Sequence, residues 1–334
     1  MTAATTALDQ ARSLAAPAVS STQRGETEDV EFWANHRHTI RQAWNEWEKQ
    51  RQNIPWPTLQ QVLDPNLYAT LSEVRTSGDV VRGEERLRRL WKDSSAVHVY
   101  SGQLLHPDFI VRIRQHLDAA AHDAGIPRRR PNGMNRYGMV LGDPDVDGAV
   151  HLEGWNELYE ELMDTVIRPL GRVLFPYRVR PEDDDSESYA FTIRYNEGED
   201  TELKEHADAS TVTLNVNINL PEEVAAWSTD SRSDDDNADL FFVDPETKQR
   251  HNMTLHHPGQ AMIHRGRIRH GAYPSKKNGR MQLVIWLMGR HGYVRVAPYD
   301  QPSTALERWS HLSTIEPRKH ADRPFTTARE LLEL

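Results

Sequence analysis

The chain reads YAFTIRY at residues 189–195, STVTLNVNINL at 210–220, ADLFFVD at 238–244, QAMIHRG at 260–266 and MQLVIWLMG at 281–289. Each run is short and rich in β-branched or aromatic residues, and polar loops separate the runs, which is typical of β-strands. No helical pattern intervenes between successive runs. This half of the chain is therefore predicted to form an antiparallel sandwich or barrel.

Helical patterns dominate the chain before residue 189, where apolar residues recur at three- and four-residue spacing. One short strand, Asn135–Leu141, is predicted among them. The predicted helices cover Val30–Gln52, residues near 66–76 and 82–92, His106–Ala121, and Leu158–Leu174, which Pro169 should kink or interrupt. Helices followed by successive strands predict the α+β fold class, with the helices packed against the β-rich core.

Changes in composition divide the chain into four segments. Residues 1–28 are rich in Ala, Thr and Ser and contain no aromatic residue, so they are predicted to be a disordered tail, with a transit peptide as the alternative. Residues 29–94 are the predicted helical extension. Residues 95–296 are the predicted core domain, and residues 297–334 are a polar C-terminal segment.

The 334-residue chain contains no cysteine, which excludes disulfides, Cys-ligated zinc or iron–sulfur clusters and a cysteine nucleophile. Any metal would need imidazole and carboxylate ligands. The net charge of −10 disfavours non-specific nucleic-acid binding, and the basic cluster Arg128–Arg130 is expected to be a solvated loop. No apolar run is long enough to cross a membrane and no secretory signal is recognisable, so we expect a cytoplasmic protein without a membrane partner.

His206-Ala207-Asp208 is the strongest chemical signal in the β-rich half, and His270 and Arg280 follow it in a second strand and loop. Two histidines and one carboxylate on one face of an octahedron leave three positions open, which is the arrangement of non-haem Fe(II) oxygenases. An isolated His-x-Asp is weak evidence, because such a tripeptide often arises by chance. The rivals for the distal histidine are His256, His257, His264 and His291.

The surroundings of this motif resemble the prolyl and lysyl hydroxylase-like branch of the Fe(II)- and 2-oxoglutarate-dependent dioxygenases. In that branch, too, His-x-Asp is followed by Ala-Ser-Thr and a T-x-N strand, here residues 209–215, and a distal histidine precedes an arginine by ten positions. Arg130–Gly138 is also similar to a segment of that superfamily. The resemblance spans about residues 106–290. It departs from the family at Ala238-Asp239, where relatives usually carry a Gly-Gly pair.

The resemblance implies a double-stranded β-helix (jelly-roll) core and makes residues 95–296 a dioxygenase domain. It implies that His206, Asp208 and His270 bind Fe(II) and that Arg280 binds the distal carboxylate of the co-substrate 2-oxoglutarate, with O₂ as the oxidant. Tyr195 matches a position that contacts the co-substrate through its phenol, and Asn215 matches a polar position that lines the same co-substrate pocket. His264 matches the residue that precedes the distal ligand, which favours His270 as that ligand.

The expected reaction is hydroxylation of an unactivated C–H bond, with release of succinate and CO₂. Halogenases of this superfamily lack the carboxylate ligand, so Asp208 argues against halogenation, while desaturation and other oxidations stay open. A small-molecule substrate, amino-acid-derived or another metabolite, is preferred to a peptide or protein because no separate recognition domain is visible. A peptidyl (lysyl- or prolyl-type) hydroxylase and a non-catalytic binding module are the alternatives. The oligomeric state stays open, as does whether the 222–238 loop is a lid.

Overall fold

The computed structural model describes residues 5–16, 25–51, 54–94, 97, 99–132, 134–141, 147–175, 188–208, 210–227, 240–273 and 279–287. The helices in these ranges are α1 (Ala7–Ser13), α2 (Gly25–Gln50), α3 (Leu59–Val62), α4 (Pro65–Ser77), α5 (Val80–Leu90), α6 (Pro107–His122), α7 (Trp155–Leu162), α8 (Arg168–Leu174) and α9 (Pro221–Trp227). A π-helical segment, Met163–Ile167, joins α7 to α8. None of the helices described combines the length and the hydropathy that crossing a membrane requires.

The strands form two antiparallel sheets. They are β1 (Lys92–Ser94), β2 (Val99–Gln103), β3 (Gly138–Leu141), β4 (Ser188–Tyr195), β5 (Leu203–His206), β6 (Val212–Asn217), β7 (Leu240–Val243), β8 (Arg250–Met253), β9 (Gln260–Arg265), β10 (His270–Ala272) and β11 (Arg280–Leu287). The large sheet has the order β1-β2-β9-β6-β11-β4-β3, and the small sheet has the order β5-β10-β7-β8. Strands close in sequence thus alternate between two sheets that share a core, as in a jelly roll. The predicted α+β class with a double-stranded β-helix core is confirmed.

Strand β11 shows how the large sheet contributes to two cores. Leu283 and Ile285 belong to the apolar cluster that the large sheet forms with the helices. Val284 and Trp286 alternate with them and belong to a second cluster, which includes Phe242 of the small sheet. Because successive side chains of a strand point to opposite faces, helices cover one face of the large sheet and the small sheet covers the other. The candidate site lies in the space between the sheets.

The N-terminal segment differs from the disordered tail predicted for residues 1–28. Ala7–Ser13 form helix α1, which a capping box begins. Leu8 and Ala11 are buried in the main core, and the Leu8 N–H donates a 2.8 Å hydrogen bond to the Glu46 carboxylate of α2. The disorder prediction was wrong for this helix, because alanine-rich composition also favours a helix whose small side chains pack closely on another helix.

The predicted helix Leu158–Leu174 is interrupted, as Pro169 requires. The interruption is the π-helical segment Met163–Ile167. A proline has no N–H to donate to the carbonyl four residues earlier, which is the carbonyl of Thr165. Arg75 of α4 donates to that carbonyl at 3.1 Å, so the broken helix leaves no buried acceptor unpaired at this position.

Strand β3 begins at Gly138 rather than at Asn135, where the predicted strand begins. The preceding residues form a turn around the Asn132 side chain, whose Oδ1 accepts hydrogen bonds from the N–H groups of Met134 and Asn135, each at 2.8 Å. Asparagine side chains commonly hold such turns in place of a strand ladder. The turn carries two side chains, those of Met134 and Asn135, to the space between the sheets.

The predicted boundary at residue 94 runs through one hydrophobic core, to which residues on both sides of the boundary contribute. Strand β1 pairs with β2 at the edge of the large sheet, and the helices of residues 29–94 bury their apolar side chains in the same cluster as that sheet. Helix α9 occupies the beginning of the loop predicted at 222–238. The rest of that loop, the Ala238-Asp239 departure, His291 and residues 297–334 lie outside the described residues.

Candidate metal centre

His206 and His270 lie opposite each other on neighbouring strands of the small sheet. His206 ends β5, His270 begins β10, and the two residues are direct register partners. Their ring centroids are 4.4 Å apart. Antiparallel pairing thus places two histidines that are distant in sequence side by side.

Asp208 reaches the two histidines from the loop after β5. Its N–H donates to the Gly266 carbonyl at 2.8 Å, and its Oδ2 accepts a 2.6 Å hydrogen bond from the Thr213 hydroxyl. The Ser210 hydroxyl lies 2.6 Å from Thr213 Oγ1 and extends this chain. Only glycine fits at 266, because a Cβ there would lie 2.1 Å from the Ser210 carbonyl oxygen. The loop therefore holds the carboxylate in one orientation.

Both imidazoles present Nε2 to the Asp208 carboxylate. Nδ1 of His206 lies 2.8 Å from the Lys204 carbonyl oxygen, and Nδ1 of His270 lies 2.9 Å from that of Ile268. Because a carbonyl only accepts hydrogen bonds, Nδ1 carries the proton of each neutral ring and Nε2 holds a lone pair. His206 Nε2 is 3.2 Å from Asp208 Oδ1, and His270 Nε2 is 3.5 Å from Oδ2.

Two imidazole nitrogens and one carboxylate thus converge on one point. Burial lowers the pKa of His270 to about 3, so this ring is neutral at ordinary pH. Burial raises the pKa of Asp208, but the imidazoles of His270 and His206 outweigh that effect and hold it well below its usual range. The donor atoms lie within 4.8 Å of one another. Bonds of about 2.1 Å at right angles would place neighbouring donors about 3 Å apart, so this nitrogen and oxygen set fits Fe(II).

His264, the main rival for the distal position, is engaged by other groups. Its Nδ1 lies 3.0 Å from the Arg265 carbonyl oxygen, and its Nε2 lies 3.1 Å from Nδ2 of Asn215. An amide NH₂ only donates, so Asn215 donates to Nε2 and both ring nitrogens are satisfied. Asp208 Oδ2 is 4.0 Å from this Nε2. Among the described residues, the group of converging donors contains His270 and not His264.

Arg280 and Tyr195 lie opposite each other on β11 and β4. The guanidinium carbon of Arg280 is 4.2 Å from the centroid of the Tyr195 ring, and both side chains are buried. Burial raises the pKa of the Tyr195 phenol, while the Arg280 charge and a hydrogen bond with Asn135 act in the opposite direction, so the phenol is neutral. A buried guanidinium is well suited to bind a carboxylate, because two parallel N–H groups match its two oxygens.

A cavity between the sheets opens onto the candidate metal centre. It is lined by the three donors, Asn215, Asn132, Met134, Asn135, Phe191, Ile193, Leu203, Val284 and Trp286. Within the described part of the chain, neither Tyr195 nor Arg280 is in this lining. The predicted site residues therefore fall into two groups: the donors with Asn215 at the cavity, and the packed pair of Tyr195 and Arg280 at the start of β11.

Several side chains around the site have no role assigned from the sequence, namely Ser210, Thr213, Asn217, Asn219 and Trp286. The sequence of strand β6 did carry a signal for some of these residues, because this strand is buried along its whole length. Polar residues alternate there with apolar ones, at Thr213, Asn215 and Asn217. In a strand buried on both faces, a face of alternating polar residues indicates a polar site rather than solvent.

Comparison with known proteins gives one family match. The OGFOD2-like domain model matches residues 57–179. That match covers α3 to α8 and strands β1 to β3, and it ends before His206. It therefore describes the supporting part of the fold rather than the donors.

Three similar proteins match over longer stretches. The "2-oxoglutarate and iron-dependent oxygenase domain-containing protein ICU11" of Arabidopsis thaliana is 28% identical over 200 residues, covering 58% of this chain and 47% of that protein. The "2-oxoglutarate and iron-dependent oxygenase domain-containing protein 2" of Danio rerio is 27% identical over 240 residues, covering 71% and 62%. Its Homo sapiens namesake is 27% identical over 201 residues, covering 60% and 52%.

This chain is similar to proteins named as 2-oxoglutarate and iron-dependent oxygenases. The resemblance predicted from the residues is confirmed, and the names of the oxygenase relatives agree with the predicted enzyme class, iron and 2-oxoglutarate. The chain spans about half the length of the curated relatives it matches, with 47% for ICU11 and 48% for the CP2 protein of the same plant.

Solved structures of oxygenases are also similar to this chain. A prolyl-4-hydroxylase of Pseudomonas putida has 13% sequence identity and a TM-score of 0.38, covering 70% of this chain and 99% of that one. The 2-oxoglutarate complex of the auxin-oxidation dioxygenase of Arabidopsis thaliana has 14% identity and a TM-score of 0.42, covering 67% and 92%. The fold assignment rests on the strand order described above.

Proposed function

We propose that this protein is an Fe(II)- and 2-oxoglutarate-dependent oxygenase that hydroxylates a C–H bond with release of succinate and CO₂. One observation carries the proposal: Nε2 of His206, Nε2 of His270 and the Asp208 carboxylate converge at the cavity between the sheets. A cation is the simplest way to balance these donors. The printed names of the relatives support iron and 2-oxoglutarate.

In this proposal His206, Asp208 and His270 hold Fe(II), which together with 2-oxoglutarate and O₂ supplies the oxidising chemistry. The residues themselves do the positioning. The carbonyls of Lys204 and Ile268 keep each imidazole proton on Nδ1, so that Nε2 faces the metal. The Thr213 hydroxyl restrains one oxygen of Asp208 and leaves Oδ1 beside His206.

Arg280 binds the distal carboxylate of 2-oxoglutarate in the same proposal. Its guanidinium is charged at any working pH and rests on the Tyr195 ring, which limits the directions it can take. Tyr195 is neutral and can donate its phenolic proton to a co-substrate oxygen. Asn215 lines the cavity and has a carbonyl oxygen to offer, while its NH₂ supports His264.

The cavity favours a small molecule with an apolar body. Beside the donors, the described lining contains apolar side chains such as Phe191, Met134 and Trp286. The polar groups there are neutral amides, including those of Asn132 and Asn135. A mostly apolar pocket with a few polar groups is typical of small-molecule sites. A peptide side chain that enters the same cavity is the second candidate.

An anaerobic titration tests the oxygenase assignment. Fe(II) and then 2-oxoglutarate are added to the purified protein, and the visible charge-transfer band of the chelate is recorded. A saturable band is expected for the natural chain, and Asp208→Ala is expected to remove it. Asp93→Ala, which changes an exposed carboxylate on the edge strand β1, is the matched control and keeps the band. Iron binding without any 2-oxoglutarate-dependent band would overturn the assignment.

Substrate class needs a separate experiment. Succinate release is measured with a panel of small apolar metabolites, and in parallel the proteins of a lysate are searched for a gain of one oxygen atom. Succinate formation coupled to a hydroxylated small molecule supports the proposal. A hydroxylated lysyl or prolyl residue, with no small-molecule turnover, would establish the peptidyl alternative instead.

A further inference from the structure

The Asn219 side chain bonds to the backbone on both sides of Arg280. Its Nδ2 donates to the Gly279 carbonyl at 2.6 Å, and its Oδ1 accepts from the Met281 N–H at 3.0 Å. Asn219 is fully buried. The two residues that flank the arginine are therefore held by one amide.

The Asn219 amide hydrogen-bonds to the backbone of β11 just beyond the last paired residues of β6 and β11. The described register of β6 with β11 begins at the pair Asn217 and Gln282, so Arg280 has no residue of β6 opposite it. On its other side Arg280 pairs with Tyr195 of β4. A side-chain amide has the same donor and acceptor as a peptide group, and the Asn219 amide takes the place of a neighbouring strand.

Asn219 is itself held by the ion pair between Glu223 and Arg114. Its Nδ2 also donates to Glu223 Oε2 at 2.9 Å, and the same oxygen accepts from the Leu220 N–H at 2.8 Å. Arg114 of α6 binds both oxygens of Glu223, at 2.9 and 3.1 Å, and donates to the Ile218 carbonyl at 3.2 Å. Burial raises the pKa of Glu223, but the hydrogen bonds from Arg114 and Asn219 outweigh it and keep the carboxylate charged.

We propose that Asn219 is a positioning residue for the co-substrate. By holding the backbone on both sides of Arg280, it directs the guanidinium toward the distal carboxylate of 2-oxoglutarate. Glu223 and Arg114 orient the Asn219 amide. This inference rests on the proposed function, since it takes Arg280 as the carboxylate partner. Strand β6 and the residues that follow it would thus support both the metal ligand Asp208, through Thr213, and the co-substrate arginine.

A comparison of two keto acids separates this role from a general structural one. 2-Oxoglutarate and 2-oxovalerate share the keto-acid group that chelates iron, but 2-oxovalerate has a methyl group in place of the distal carboxylate. Only 2-oxoglutarate has a distal carboxylate that Arg280 can bind. A residue that acts through Arg280 therefore affects the first ligand and not the second.

The experiment measures the Kd of Fe(II), and then of each keto acid on the Fe(II) protein, by anaerobic titration. For Asn219→Ala we expect the Kd of 2-oxoglutarate to rise about 10-fold, the effect of losing one or two buried hydrogen bonds. The Kd values of 2-oxovalerate and Fe(II) are expected to stay within about twofold. Glu223→Gln should shift the Kd of 2-oxoglutarate in the same direction by a smaller factor.

Gln103→Ala is the matched control. The Gln103 amide also bonds two backbone carbonyls, those of Leu105 and Pro258, but it lies away from Arg280. It should leave the affinities for both keto acids unchanged. If Asn219→Ala does not fold, Asn219→Ser replaces it, because serine keeps a polar side chain at this buried position but is too short to bond to both Gly279 and Met281.

Two outcomes would overturn the inference. One is an unchanged 2-oxoglutarate affinity in a folded Asn219 variant. The other is an equal loss of affinity for both keto acids, which would show that Asn219 supports the whole core. If the natural chain itself shows no 2-oxoglutarate-dependent band, the proposed function fails first, and the inference fails with it.

Discussion

Thr213 donates a 2.6 Å hydrogen bond to Oδ2 of Asp208 across the gap between strand β6 and the loop after β5. Both side chains are buried. A hydrogen bond to a carboxylate in such a place restrains its rotation as well as its charge. This hydrogen bond joins strand β6 of the large sheet to a predicted metal ligand in the loop after β5 of the small sheet.

Replacement of Thr213 by valine should weaken iron binding without abolishing it. The two side chains have similar volume, so the change removes the hydroxyl and its bond to Asp208. We expect the Kd of Fe(II) to rise about 10-fold, as is typical when a group that orients a metal ligand is lost. Thr213→Ser, which keeps the hydroxyl, should bind nearly as tightly as the natural chain. Equal iron affinity in all three proteins would contradict this role.

Replacement of His270 and of His264 should have different effects. His270→Ala removes a converging donor, so Fe(II) binding is expected to fall by at least about 100-fold. His264→Phe removes the partner of Asn215 but no donor, and we expect a loss of less than about 10-fold. Metal analysis after equilibrium dialysis measures both. A greater loss in the His264 variant would make His264 the ligand.

Arg280→Lys should weaken the binding of 2-oxoglutarate, and Arg280→Ala should weaken it further. Lysine keeps the positive charge but not the paired N–H groups, so an increase of about 10-fold in Kd is expected, and about 100-fold or more for alanine. Iron affinity should stay the same, because Arg280 is not one of the converging donors. The anaerobic charge-transfer titration reports these values. A 2-oxoglutarate Kd unaffected by Arg280→Ala would remove Arg280 from the co-substrate site.

His116 should make the protein less stable in acid. The ring stacks on Trp56 with centroids 4.0 Å apart, and burial, with the charges of Arg51 and Arg112, lowers its pKa to about 4. Between this value and the unfolded value of about 6.5, only the unfolded chain binds the proton. The free energy of unfolding therefore falls as the pH drops through this window, by at most about 3 kcal/mol.

Urea unfolding at pH 7 and pH 4.5 checks this prediction. His116→Phe keeps a flat ring beside Trp56 and should lose less stability between the two pH values than the natural chain does. His122→Phe changes an exposed residue of the same helix and should retain the natural pH dependence. The buried rings of His264 and His270 also have lowered pKa values and account for a remaining slope. An identical slope in the His116 variant would refute the assignment.

The strands were predictable because local patterns carry them, and the converging donors were predictable because the residues around them resemble a known family. The β-rich runs contain all of β6, β7 and β9, and all of β4 and β11 except the first residue of each, Ser188 and Arg280. Strands β1, β2, β5, β8 and β10 were missed, since three to five residues with mixed polarity carry no clear pattern and pair only because neighbours offer them an edge. Helix α1 was missed for a related reason: its stability depends on packing against α2, which composition does not show.

The hydrogen bonds that hold the side chains of the predicted site in place were not predictable from the sequence. No spacing in the sequence shows that Asn215 bonds to His264, or that Asn219 holds both sides of Arg280. These bonds join residues that are about fifty or sixty positions apart in the chain. A single residue of register shift would turn each of these side chains to the other face of its sheet.

The sequence alone determined the α+β class and the presence of paired antiparallel strands, because residue type and periodicity encode them, and the family resemblance implied a His-x-Asp motif with a distal histidine and arginine. The tertiary structure decided how His206 and His270 approach Asp208, which nitrogen of each ring faces the carboxylate, and which amide holds the backbone of Arg280. Those choices depend on strand register and on carbonyl positions, which packing sets over long distances in the chain.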